Sequence, residues 1–175
     1  MIAPSMATML CVLTTDAAAD RRLLQAMLRE AVEESFNRIS VDGDMSTNDS
    51  VFLLANGRSG VTLRRGTAQA RAFEAMLRAV TRTLARLIVE DGEGATRPME
   101  VCVVGARNEA EAQACARSVA CSSLVKTMLS GGDPNVGRIA AAAGASAARY
   151  DPHRLDIRIG PQPVVSRGVA LRVGK

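Results

Sequence analysis

Residues 8 to 15, TMLCVLTT, form an apolar, partly β-branched run, and this pattern predicts a mostly buried strand. From Asp20 to Arg38 the spacing changes. Leu23, Leu24, Met27, Leu28, Ala31 and Val32 fall on one face at helical intervals, and Asp16 or Asp20 is placed to cap the start. After a polar turn, SVFLLA at Ser50–Ala55 predicts a second buried strand, ended by the Asn56-Gly57 turn signal. Thr67 to Val89 repeats the helical pattern through Ala72, Phe73, Met76, Leu77, Val80, Leu84 and Leu87, with arginines on a solvated opposite side.

The second half is more broken. Met99 to Gly105, MEVCVVG, predicts another strand, Asn108 caps a helix running to about Ser118, and Asn135 to Ala148 forms a small Ala-rich helix able to pack closely. Short strands are expected at Leu155 to Ile159, Pro163 to Val165 and Val169 to Val173, separated by Pro and Gly breaks. Strands and helices interleave without a repeat, and each apolar helix has one face to bury. The expected class is α+β, a layered α/β sandwich with helices packed on a mixed sheet.

Composition narrows the partners. The chain has 175 residues, 47% of them hydrophobic, enough for one real core. Its net charge of +4 comes mainly from arginines scattered through helices, and aromatics make up 2% of the chain. A concentrated basic face with stacking platforms is missing, so a nucleic-acid partner is not expected. No run reaches the ~18 apolar residues of a membrane span. The start lacks the charged region and long apolar core of a signal peptide, and the protein reads as cytoplasmic. Cys11, Cys102, Cys115 and Cys121 contain no C-x-x-C pair, so neither a metal site nor a disulfide framework is indicated. The sole histidine, His153, lies in a D-P-H turn far along the chain. A nucleophile elsewhere must therefore find its base in a carboxylate or a free amine.

Three stretches are rich enough in polar groups to carry chemistry. Residues 35 to 49, SFNRISVDGDMSTND, gather Asp42, Asp44 and Asp49, but a calcium loop counted from Asp42 meets Thr47 and Leu53 where Gly and Glu are needed. A D-x-D-x-T phosphatase pattern fails at Ser46, and on chemistry alone the favoured reading is a turn satisfied by Asp and Asn side chains. Residues 131 to 139, GGDPNVGRI, space Gly132 and Gly137 like a phosphate loop, yet Arg138 and Ile139 replace its Lys and Ser/Thr. That stretch is either a set of backbone amides at a helix start or a tight turn. Residues 91 to 96, DGEGAT, set Glu93 between two glycines, either to present a carboxylate closely to a cation or simply to end a helix. On composition alone Thr8 is a strand residue.

Taken together, MIAPSMATML, SFNRISVDGDMSTNDSVFLLANG, IVEDGEGATR and SSLVKTMLSGGDPNVGRIAAAAG resemble, in order and wording, the ornithine acetyltransferase family of the ArgJ type, bifunctional with glutamate N-acetyltransferase. The likeness runs from Met1 to about Gly160 and implies an ArgJ/DmpA-like fold. It further implies a precursor cut between Ala7 and Thr8, where the Thr8 hydroxyl attacks the Ala7 carbonyl and water resolves the ester. The freed α-amine, with an ordinary pKa of about 8, then serves as base for its own hydroxyl. In the family's cycle the threonine takes acetyl from N2-acetylornithine and passes it to L-glutamate, in arginine biosynthesis. Thr8 is then nucleophile and substrate-binding residue, Glu93 is the substrate-binding glutamate, and the acidic SFNRISVDGDMSTND loop supports the site. No cofactor is implied, although acetyl-CoA is an alternative acetyl donor, and no metal.

The resemblance also implies what lies elsewhere. Family members carry an α segment before this point, with a Thr-Gly oxyanion hole and a Lys in K-G-S-G, and they close with an Asn and a Thr or Ser. Ser5, Met45, Arg97 and Val136 stand where the family usually has Asn, Thr, Lys and Trp. The expectation is a β-chain region truncated at both ends and working in an α/β hetero-oligomer. Residues 1–7 are the remnant before the cut, 8–150 the main domain, and 151–175 the start of a C-terminal subdomain. The alternatives are a catalytically silent remnant and an N-terminal-nucleophile amidohydrolase that loses its acetyl group to water.

Overall fold

The structure is a computed structural model and describes residues 8–41, 43–92, 94–133 and 135–172. The chain divides into two compact units, Met1–Ala95 and Thr96–Lys175. The class is α+β, with helices against small sheets. No helix among the described residues is long and apolar enough to cross a membrane.

The first unit begins with β1 at Leu10–Thr15, a short β2 at Ala18–Ala19 and α1 at Arg21–Glu33. Asp20 caps α1, its carboxylate accepting from Arg22 N and Leu23 N, which answers two of the amides a helix start leaves unbonded. A single 3-10 turn at Phe36–Arg38 replaces the last part of the expected helix. The chain then returns as β3 at Ser50–Ala55, parallel to β1, with Leu10 opposite Ser50 and Thr15 opposite Ala55. A two-residue β4 at Thr62–Leu63 pairs with β2, and Thr67 caps the long α2 at Ala68–Glu90.

Side-chain alternation divides the β1–β3 pair into an inner and an outer face. Cys11, Leu13, Val51 and Leu53 turn inward onto a core of Met27, Ala31, Leu63, Ala70, Phe73 and Leu77. Burying each large side chain of this set stabilises the unit by about 1.5–3 kcal/mol. The outer face was expected to be buried and is open: Leu10 is 68% exposed, Val12 60%, Phe52 50% and Leu54 56%. The two strands are thus covered on one side only, because α1 and α2 both lie against the inner face.

α2 also differs from its expected stripe. Its buried positions are Ala70, Phe73, Leu77, Thr81 and Ala85, whereas Met76, Val80 and Leu87 are exposed. The helix has turned its small side chains toward α1, so that Thr81 is completely buried and its hydroxyl donates to Arg78 O at 3.2 Å.

The second unit contains α3 at Glu109–Cys121, α4 at Ser123–Gly131 and α5 at Val136–Gly144. Asn108 caps α3 through Glu111 N, as its position suggested. Val119, Val125, Met128, Ala142 and Ala143 form the helical core, and Ser118 Oγ donates to Ala142 O at 2.6 Å, a close approach that only the small side chains of α5 permit. The expected strand at 99–105 is not formed: no other described strand pairs with it, and a strand exists only through its ladder. Its Met99 and Val101 instead pack on the helical core. The tail makes an antiparallel sheet of β5 at Ile157–Ile159, β6 at Gln162–Ser166 and β7 at Val169–Ala170. Ile157, Val164 and Val165 bury themselves beside Val136 and Ile139 of α5, so residues of 151–175 belong to the second unit's packing.

Candidate active site

Thr8 stands just before β1, half-buried, with its backbone at φ +100°. An L residue, and a β-branched one above all, avoids that region, and holding it there costs about 1–3 kcal/mol. Two features hold it. Ser50 N donates to Met9 O at 2.8 Å, extending the parallel pairing back past the end of β1. On the other side of the same residue, Met9 N donates to Asp49 Oδ1 at 2.8 Å.

The polar stretch before β3 is the floor on which Thr8 rests. Ser46 N donates to the second Asp49 oxygen at 3.1 Å, so one carboxylate ties the entrance of β1 to the loop ahead of β3. Ser46 Oγ lies 2.8 Å from Thr8 Oγ1 and receives Asn48 N at 3.2 Å. Ser50 Oγ donates to Asn48 O at 3.0 Å and closes the turn. Asp49 is therefore spent on backbone amides, as a turn carboxylate is expected to be, while Ser46 is spent on the threonine. Both residues are half-buried. A hydroxyl fixed in this way suits nucleophilic attack on a carbonyl.

Of the site residues expected from the sequence, Thr8 is thus brought against Ser46, with Asp49 on the amide of the next residue. Ala7, Asp42 and Glu93 lie outside the described residues. The segment around Glu93 is defined at both of its glycines. Gly92 sits so close to Val41 that a Cβ there would meet Val41 Cγ1 at 3.1 Å, and Gly94 has φ +69°. Asp91 ends α2 as its C-cap.

The stretch at 131–139 begins at the end of a helix. Gly132, at φ +67°, is the left-handed residue that ends α4, its N–H donating to Leu129 O at 3.2 Å while Asp133 N reaches Met128 O at 3.2 Å. Glycine is favoured at that position because it has no Cβ to clash. His153 occupies a 3-10 turn at Pro152–Arg154 in the second unit, its N–H capped by Asp151 at 2.9 Å. Ser46 and Asp49 belong to a polar stretch that the sequence did mark, without an individual role for either. The signal that could have found them is register: once Leu10 pairs with Ser50, Asp49 falls beside Met9 and the loop behind it beside Thr8.

The model of the ArgJ family matches residues 1–175. The chain is 51% identical over 173 residues to the chloroplastic arginine biosynthesis bifunctional protein ArgJ of Oryza sativa subsp. indica, covering 98% of this chain and 37% of that protein. It is 51% identical over 159 residues to the glutamate N-acetyltransferase of Methanocaldococcus jannaschii, covering 90% of this chain and 39% of that protein. The crystal structure of the arginine biosynthesis bifunctional protein ArgJ from Bacillus halodurans superposes with a TM-score of 0.91 at 40% identity, over 95% of this chain and 78% of that one. The chain therefore spans about two fifths of the length of the curated relatives it matches.

Proposed function

This chain belongs to the ArgJ family, and on that footing we propose that it is the threonine-bearing region of an acetyltransferase that moves acetyl from N2-acetylornithine to L-glutamate. The observation that carries the reading is the Thr8 hydroxyl, held 2.8 Å from Ser46 Oγ on a backbone at φ +100°. Backbone strain of this kind clusters at sites of function.

In the first step Thr8 Oγ bonds to the Ala7 carbonyl carbon, the Ala7–Thr8 C–N bond breaks, and the hydroxyl proton ends on the freed nitrogen. Water then adds to the ester, restoring the Thr8 hydroxyl and leaving a carboxylate on Ala7. The new α-amine, free of substituents, takes the proton of its own hydroxyl when Thr8 attacks the acetamide of N2-acetylornithine. Ornithine departs with that proton on its amine. The amine of glutamate next attacks the acetyl ester, and Thr8 returns to its hydroxyl form. Glu93 supplies the negative charge that an amino-acid ammonium requires. The oxyanion donors come from an α-chain partner, where each is worth about 100-fold to 1000-fold.

The mass spectrum of the purified chain tests the cut, with loss of the first seven residues expected for the parent and an intact chain for Thr8→Ala. Acetyl transfer is then assayed with and without a co-expressed α segment. Equal transfer by the parent and Thr8→Ala would overturn the reading, and release of free acetate in place of N-acetylglutamate would make the chain a hydrolase.

A further inference from the structure

From the same cluster we infer that Ser46 and Asp49 are positioning residues for the Thr8 nucleophile, an inference that rests on the reading above. Asp49 sets the backbone. Its two oxygens take Met9 N at 2.8 Å and Ser46 N at 3.1 Å, so a single side chain fixes the distance between the residue after the nucleophile and the residue that touches it. Ser46 sets the hydroxyl. Asn48 N already occupies one lone pair of Ser46 Oγ at 3.2 Å, which leaves one lone pair and one proton for Thr8 Oγ1 at 2.8 Å.

A bond in either direction fixes the rotamer of Thr8. When Ser46 donates, it engages one Thr8 lone pair, leaves the other for the electrophile and leaves the Thr8 proton for the amine. Ser46 transfers no proton in this scheme. Asp49 is not a base either, because both its oxygens are engaged by amides. The same device serves the cut and the acetyl transfer, since both reactions begin at Thr8 Oγ.

The test compares the parent with Ser46→Ala, Ser46→Thr and Asp49→Asn, reading the cut by intact mass over time and acetyl transfer, with the α segment co-expressed, as separate kcat and KM. Misplacing a nucleophile by a fraction of an ångström to an ångström costs about tenfold to a hundredfold. Ser46→Ala is expected to slow the cut and lower kcat in that range with KM unchanged, and Ser46→Thr, which restores a hydroxyl, to recover most of both. Asp49→Asn is expected to be slower than Ser46→Ala, because its amide group turns an N–H toward one of the two backbone donors.

A second measurement stands apart from activity. In Thr8→Ala, which stays whole, exchange of the Met9 and Ser46 amide protons with solvent deuterium is followed by NMR at one pH. Both are expected to be protected and to lose that protection together when Asp49→Asn is added. If the parent reacts and Ser46→Ala matches it, the inference is overturned while the proposed function stands. If the parent neither cuts nor transfers, the proposed function falls, and the two amides decide the clamp. Amides whose exchange Asp49→Asn leaves unchanged overturn it.

Discussion

The Arg78 guanidinium of α2 reaches across to α1 and donates to the Glu34 carboxylate. Arg78 also holds Glu30 at 2.7 Å, and Arg82 takes the second Glu34 oxygen at 2.7 Å, so four side chains form a chain of charges along one edge of the helix pair. The Arg78 hydrogen bond holds the Glu34 carboxyl below its ordinary value of 4.5.

A carboxyl whose folded-state pKa lies below its unfolded one stabilises the fold above the unfolded pKa and ceases to do so as pH falls through the folded one. Denaturant melts should therefore place Glu34→Gln about 1 kcal/mol below the parent at pH 7. Below pH 4.5 the two should converge. A gap that stays constant with pH would show that packing, not charge, separates them.

Thr8→Gly and Thr8→Ala both remove the hydroxyl, so neither chain can cut itself and their stabilities compare directly. With φ at +100° only glycine is unstrained. Thr8→Gly is expected to be the more stable by about 1–2 kcal/mol, the scale of the left-handed penalty. Chemical denaturation at neutral pH measures the difference, and an equal pair would mean the backbone there carries no strain.

Gly168 in the turn between β6 and β7 has φ +76°, and a Cβ on it would stand 2.5 Å from Pro152 O. Gly168 N also donates to Leu155 O at 2.8 Å, so the turn cannot simply swing away. Gly168→Ala should loosen the second unit by at least about 1–2 kcal/mol, visible as faster proteolysis after residue 151 with residues 8–95 unaffected.

Burial pushes the Cys11 thiol above its ordinary value, while Cys102 and Cys121 are exposed. The thiolate is the reactive form. Alkylation near pH 8 followed by peptide mapping should label Cys102 and Cys121 first and Cys11 last, and raising the pH should narrow that order.

The elements that declared themselves in the sequence are those whose burial is periodic and whose ends are chemically marked. β1, β3, α1 and α3 appear where the pattern put them, with Asp20 and Asn108 as caps. Residues 99–105 are not a strand because a β-branched run states a preference and only a partner makes a strand. α4 went unread although Leu124, Val125, Met128 and Leu129 stand at helical spacing, because its end at Gly132 resembled a ligand loop. The face of α2 was misplaced in part: Phe73 and Leu77 are buried as expected, while Thr81 and Ala85, which hydrophobicity ranks low, are buried where Val80 and Leu87 were expected. At the site, Thr8 was legible through wording shared with a family. Ser46 and Asp49 depended on strand register, which no single strand contains.

The parallel pairing of β1 with β3 has a consequence in time. Parallel neighbours need a crossover, and here that crossover is everything from Asp16 to Asp49, α1 included. The contacts that fix Thr8 span 38 and 40 positions along the chain. During synthesis the hydroxyl therefore has no Ser46 and no Asp49 to meet until the ribosome has passed both, and no fixed rotamer until β3 has docked beside β1. Folding is the clock of this nucleophile: the most distant part of its support arrives last, and the threonine is set only in a chain that has already closed its first layer.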